Sequence, residues 1–175
     1  MTAVAPDEVD NDAEPAWSDR GDAGFDRFFR SEYHKVVGLA LVLSGDRKTA
    51  EDLAQEAFAA AWRRWPELET PGVWVRTVVS NKSRSWWRRR FAESKALERL
   101  HEDQAHIDRL APDTEHFWGE VRRLPRRQAQ VVALYYLEDL DIRTIAGILG
   151  CSESTARVHL ARGRKNLGER LEETE

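Results

Sequence analysis

Asp141-Ile-Arg-Thr-Ile-Ala-Gly-Ile-Leu-Gly-Cys-Ser-Glu-Ser-Thr-Ala-Arg-Val-His-Leu160 is the stretch that decides the fold. Asp141 is placed to cap a short helix in which Ile142, Ile145, Ala146 and Leu149 recur at three- and four-residue steps, so they share one face. Gly150-Cys151-Ser152 makes a tight turn, and Gly150 can take the left-handed backbone that the turn requires. A basic helix follows, whose Ala156, Leu160 and Leu167 turn inward, and Ala146 is small where the two helices cross. This is a helix-turn-helix pattern, in which the second helix enters the major groove of duplex DNA.

The outward residues near the start of that second helix, Ser154, Thr155, Arg157 and His159, are the candidates for touching base edges. Arg162, Arg164 and Lys165 lie further along and suit phosphates, which position a domain without reading sequence. A helical hairpin with a solvated basic face is the competing reading; capping, turn and charge agree on DNA. Immediately upstream, Trp118, Val121, Leu124, Val131, Val132, Leu134, Tyr135 and Leu137 supply an apolar cluster, expected to form a small core of its own.

Toward the N-terminus, a second helical unit is legible. Phe25, Phe29, Val36, Ala40 and Leu43 fall near one face of a first helix, and Ser44-Gly45-Asp46 supplies a turn and an N-cap. The next helix carries Ala50, Leu53, Ala54, Ala57, Phe58, Ala61 and Trp65 toward a core, with Asp52, Gln55 and Glu56 on its polar face. That acidic stripe cannot be for DNA; it suits a protein partner or is simply soluble surface. Pro66 and Pro71-Gly72 bracket a short loop. A helix from about Val73 to Arg90 begins apolar and ends basic, with Lys82, Arg84, Arg88, Arg89 and Arg90 around Trp86 and Trp87. Cations beside aromatics suit single-stranded nucleic acid, although Trp74 and Trp86 fit a core at least as well.

The fold is therefore expected to be all-α, with two small helical domains at residues 25–92 and 116–171 joined by a polar linker at 93–115. Residues 1–24 hold seven acids against the single base Arg20, and read as an acidic disordered extension. The net charge of −4 thus hides a slightly basic remainder whose cations cluster at Lys82–Arg90, Arg122–Arg127 and Arg157–Lys165. No run approaches the roughly 20 apolar residues of a membrane span, and the chain starts acidic, so a cytoplasmic protein without membrane insertion is expected. One cysteine, Cys151, forms no disulfide framework. His101, Glu102 and His106 invite a metal-hydrolase reading, but a five-residue step does not place both histidines on one helical face. Neither metal, cofactor nor catalytic residue is expected.

Ala50-Glu-Asp-Leu-Ala-Gln-Glu-Ala-Phe-Ala-Ala-Ala-Trp62, Trp74-Val-Arg-Thr-Val-Val-Ser-Asn81, Leu124-Pro-Arg-Arg-Gln128 and Ile145-Ala-Gly-Ile-Leu-Gly150, in that order and spacing, resemble the extracytoplasmic-function group of sigma factors of bacterial RNA polymerase. The resemblance spans Phe25 to about Leu171 and implies that the two domains are sigma regions two and four. It implies that Asp52, Gln55 and Glu56 dock on core RNA polymerase. It implies that Ala61, Trp65 and Asn81, with the loop from Pro66 to Gly72, receive a flipped base of the minus-ten element while Lys82, Arg84 and Arg88 hold its backbone. Arg157, Val158, His159 and Arg162 match the positions that read the minus-thirty-five element. Thr77 stands where the family usually has arginine, and Val158 replaces a common serine. The implied function is promoter recognition and DNA opening, with promoter DNA, core polymerase and an anti-sigma protein as partners. A free-standing helix-turn-helix regulator is the alternative.

Overall fold

The computed structural model describes residues 21–83 and 112–172. Those residues form helices α1 (Asp22–Ser44), α2 (Arg47–Arg63), α3 (residues 71–83), α4 (Pro112–Arg123), α5 (Arg126–Tyr136), α6 (Ile142–Leu149) and α7 (Glu153–Glu172), with a 3-10 turn at Trp65–Glu67 and, among the described residues, no strand.

Helices α1 and α2 make an antiparallel pair. Gly45 adopts the left-handed conformation at φ 74° and donates its N–H to Leu41 O at 2.7 Å, which closes α1. Asp46 then accepts from the Thr49 N–H at 2.7 Å, a cap of the kind that contributes about 1 kcal/mol. Ala50, Ala54, Ala57 and Ala61 form the buried stripe of α2, small enough to let it lie close along α1, while Phe58 fills the remaining space.

Val36, Ala40 and Leu43 of α1 are buried as expected, but in the first half of the helix the buried line runs through Phe28 and Glu32. Phe28, Glu32, Val36, Leu39, Ala40 and Leu43 are buried, whereas Phe25 and Phe29 flank the core. Phe25 meets the edges of Trp62 and Trp65, and Phe29 packs edge-on against Phe58. A charged residue, Glu32, sits in the middle of the true stripe, so hydrophobicity alone displaced it. Helix α1 also starts at Asp22, so the last three residues assigned to the acidic extension form its first turn, where an acid complements the helix dipole.

Both prolines near helix starts open a helix. Helix α3 begins at Pro71 rather than Val73, and α4 begins at Pro112, inside the segment expected as linker. A missing N–H is harmless in a first turn, whose donors have no intrahelical acceptor.

In the C-terminal half, α5 is the central element, with Val131, Val132, Ala133 and Leu134 wholly buried between α4 and α7. Gly163 of α7 lies so near α5 that a Cβ there would stand 2.8 Å from Val132 Cγ2. The expected separate second core is not what forms. One continuous apolar cluster runs from Phe28 to Leu167, because α1 packs against both α4 and α5 as well as α2. Leu137, expected inside, is instead 38% exposed just beyond α5.

Gly163→Ala will therefore destabilise the chain by about 1–3 kcal/mol through overpacking, whereas Gly147→Ala, whose Cβ meets nothing within 4 Å on the open side of α6, will stabilise it by about 0.5–1 kcal/mol. Urea unfolding followed by circular dichroism measures both.

Candidate nucleic-acid and polymerase interfaces

The helix-turn-helix is set up by local hydrogen bonds. Thr144 N–H donates to Asp141 Oδ1 at 2.8 Å, and this contact, with lesser help from Arg143, holds the Asp141 carboxyl below its ordinary range. Gly150 is left-handed at φ 62°, and the Cys151 N–H reaches Ala146 O at 3.0 Å, so the turn closes α6 without strain. Ser152 caps α7 by accepting from the Thr155 N–H at 3.1 Å, and its hydroxyl also meets those of Ser154 and Thr155. Arg127 of α5 donates to Leu149 O at 3.0 Å and ties the end of α6 to the domain.

That frame presents Ser154, Thr155, Arg157, Val158 and Arg162 on the exposed face of α7. Val158 is 46% exposed, an apolar side chain that suits the methyl group of a thymine. Arg157 pairs with Glu153 at 3.1 Å on the open surface, a bond weak enough to exchange for a phosphate or a base edge. His159 is half-buried, with Nδ1 buried and unpaired among the described residues. Burial first, then the charges of Arg127 and Arg162, lower its pKa and favour the neutral ring. Behind this face, Arg164 lies 5.7 Å from the Tyr136 ring, and Asn166 donates to Gln128 at 2.9 Å.

On the other domain, Asp52, Gln55 and Glu56 are all exposed and lie together on the face of α2 opposite its alanine stripe. Asn81 and Lys82 are exposed on α3, and Lys82 forms an ion pair with Glu56, so the expected docking and minus-ten surfaces adjoin. Ala61 and Trp65 are buried; Trp65 lies against Phe28 and Phe25. Neither therefore stands on an exposed surface. Among the described residues, the exposed tryptophan of this domain is Trp62, at 46%. Trp74 is half-buried with Arg64 5.9 Å from its ring. Arg84, Arg88, Trp86, Trp87, His101, Glu102 and His106 lie outside the described residues.

Between the two domains, the sequence reading missed a buried polar cluster. Arg76 of α3 donates from Nε to Glu138 Oε2 at 2.8 Å, from Nη2 to the same oxygen, and from Nη1 to Gly72 O at 3.1 Å, while Nη1 also stands 2.8 Å from Glu32 Oε2. Gln130 of α5 donates to Ser80 O of α3 at 2.7 Å. The only signal in the sequence is Arg76 itself, a cation set among Trp74, Val75, Val78 and Val79.

Residues 28–92 match the family described as Sigma-70 region 2, and residues 118–167 match Sigma-70, region 4. The ECF RNA polymerase sigma factor SigF of Caulobacter vibrioides is 30% identical over 74% of this chain and 74% of its own length. The chain belongs to the extracytoplasmic-function sigma factors. As a sigma factor it serves RNA polymerase in promoter recognition and DNA opening at the start of transcription. A "Probable RNA polymerase sigma factor RfaY" of Xanthomonas campestris pv. campestris is also 30% identical, over 78% of this chain, and this chain spans 37% of that longer protein. The fold matches that of the sigma factor RpoE solved in complex with the anti-sigma factor NepR from Bartonella quintana, with a TM-score of 0.70 at 23% identity, covering 85% of this chain and 96% of that one.

In this sigma factor, burial alone would raise the Glu32 pKa, but hydrogen bonds and charge from Arg76 and Lys35 outweigh it and hold the carboxyl below its ordinary range. A carboxyl depressed in the folded state stabilises above the unfolded value and stops doing so as pH falls through the folded one. Melting temperature will therefore drop as the pH falls below about 4.5, the ordinary value for a glutamate. Glu32→Gln will melt lower at pH 7 and show a shallower acid decline, read by thermal scans from pH 7 to pH 3.

Proposed function

We propose that this sigma factor docks on core polymerase through Asp52, Gln55 and Glu56 of α2, and reads its promoter with two further faces. The observation that carries the reading is the exposed acidic stripe of α2 set beside Asn81 and Lys82 of α3, while a separate capped recognition helix exposes Arg157, Val158 and Arg162. In this reading the domain that contains residues 28–92 takes the single-stranded minus-ten element. Asn81 meets the flipped base, Ala61 and Trp65 back the pocket, and Lys82 begins a basic series that Arg84 and Arg88 continue in the sequence. Capture of an extruded base offsets the few kcal/mol of unstacking and unpairing, so recognition and opening are one event. The domain that contains residues 118–167 takes the minus-thirty-five element as duplex, with Ser154, Thr155, Arg157, Val158 and His159 toward the bases and Arg162 on a phosphate.

The work is done by binding alone, without metal, cofactor or catalytic step, and in the cytoplasm, where polymerase acts. No described helix is long and apolar enough to cross a membrane. An anti-sigma protein is the expected controller, supported by the relative captured with one.

The test is a pull-down with core polymerase followed by run-off transcription, using native chain and the Asp52→Arg, Glu56→Arg double variant. Reversing both charges will lower core affinity by about tenfold or more and abolish promoter-dependent transcripts, since like charges brought together across an interface repel strongly. Undiminished core binding by the variant would remove α2 as the docking face. Arg162→Ala will weaken duplex binding about equally on all sequences and reduce its salt dependence by about one counterion.

A further inference from the structure

The seam between the two domains carries buried charge beside the apolar contacts of α1 with α4 and α5. Arg76, Glu32 and the Glu138 side chain are all more than nine-tenths buried, and they come from α3, α1 and the α5–α6 connection. Glu32 and Arg76 belong to the first domain, and Glu138 is the second domain's contribution. The Gln130 to Ser80 bond fastens the same α3 to α5 a turn further on, with Gln130 itself buried.

The closed arrangement does not fit a promoter. A globular chain of this length measures about 40 Å across. The minus-ten and minus-thirty-five elements are, by their names, roughly 25 base pairs apart, on the order of 85 Å at 3.4 Å per pair. The domains cannot reach both elements while Arg76 holds Glu138, so the seam has to open before the promoter is fully engaged.

We propose that Arg76 and Glu138 are a latch that keeps the free sigma factor closed, and that core polymerase captures the chain with the latch open. The inference rests on the promoter-reading function proposed above. Its chemistry suits a latch: buried ions regain hydration when they separate, so parting this section of the seam costs less than exposing apolar surface of equal size, and the apolar contacts of α1 with α4 and α5 make up the rest of the opening cost. Removing Glu138 leaves Arg76 its partner within the first domain, Glu32, so that domain keeps its own ion pair. The apparent affinity of core for the free chain is its intrinsic affinity reduced by the fraction of chains that are open.

Small-angle scattering and core-binding titrations on the full chain test this. Glu138→Ala and Glu138→Lys will raise the radius of gyration by several ångströms with helix content unchanged, and will tighten core binding by about threefold or more. The exchange Arg76→Glu with Glu138→Arg returns a cation between two carboxylates, now supplied from the other side of the seam, and will restore the compact radius. An unchanged radius in both Glu138 variants overturns the latch, as does an increase in radius without tighter core binding. Absence of core binding by the native chain would instead remove the function on which the inference rests, and the scattering comparison would still decide whether the pair holds the domains closed.

Discussion

A guanidinium withdrawn from water must find its hydrogen bonds inside the protein or destabilise it by several kcal/mol. Arg76 finds them on three sides: Glu32 on α1, Gly72 O at the start of α3, and Glu138 beyond α5. Because its donors form a rigid planar fork, these partners are held in fixed relative positions. The approach of α3 to α5, and with it the Gln130 to Ser80 bond, accompanies this arrangement. The two domains thus share one apolar cluster and a polar seam.

The candidate functional faces are built differently from one another. The helix-turn-helix is determined locally, by the Asp141 and Ser152 caps, the left-handed Gly150 and the Arg127 tie to Leu149. Its exposed face on α7 is therefore rigid, which suits recognition of duplex DNA, a ligand that is itself stiff. On α2, by contrast, one helix does two jobs by periodicity: alanines at the buried positions bring it against α1, and the opposite side is left to Asp52, Gln55 and Glu56.

The Lys82–Glu56 pair joins the acidic face to the start of the basic series. Exposed pairs of this kind are weak, so the lysine is readily released to a phosphate. The buried Arg76 cluster behaves in the opposite way, since the Arg76, Glu32 and Glu138 side chains are each less than a tenth exposed. Surface charge is accordingly available for exchange with ligands, and buried charge is not.

Much of this was legible along the chain. Gly45, Asp46, Asp141 and Gly150 mark their helix ends through short-range hydrogen bonds, and the alanine stripe of α2 and the inward Ala156, Leu160 and Leu167 of α7 follow from helical period. Such features depend on neighbours a few residues away, so sequence order carries them. The buried line in the first half of α1, the burial of Arg76 and Glu32, the exposure of Leu137 and the merging of two expected cores were decided by tertiary structure. Each depends on a partner far along the chain: Glu138 is 62 residues from Arg76, and Gln130 is 50 from Ser80. A charge reads as surface until the opposite charge that permits its burial is known, and that pairing exists only once the helices have packed.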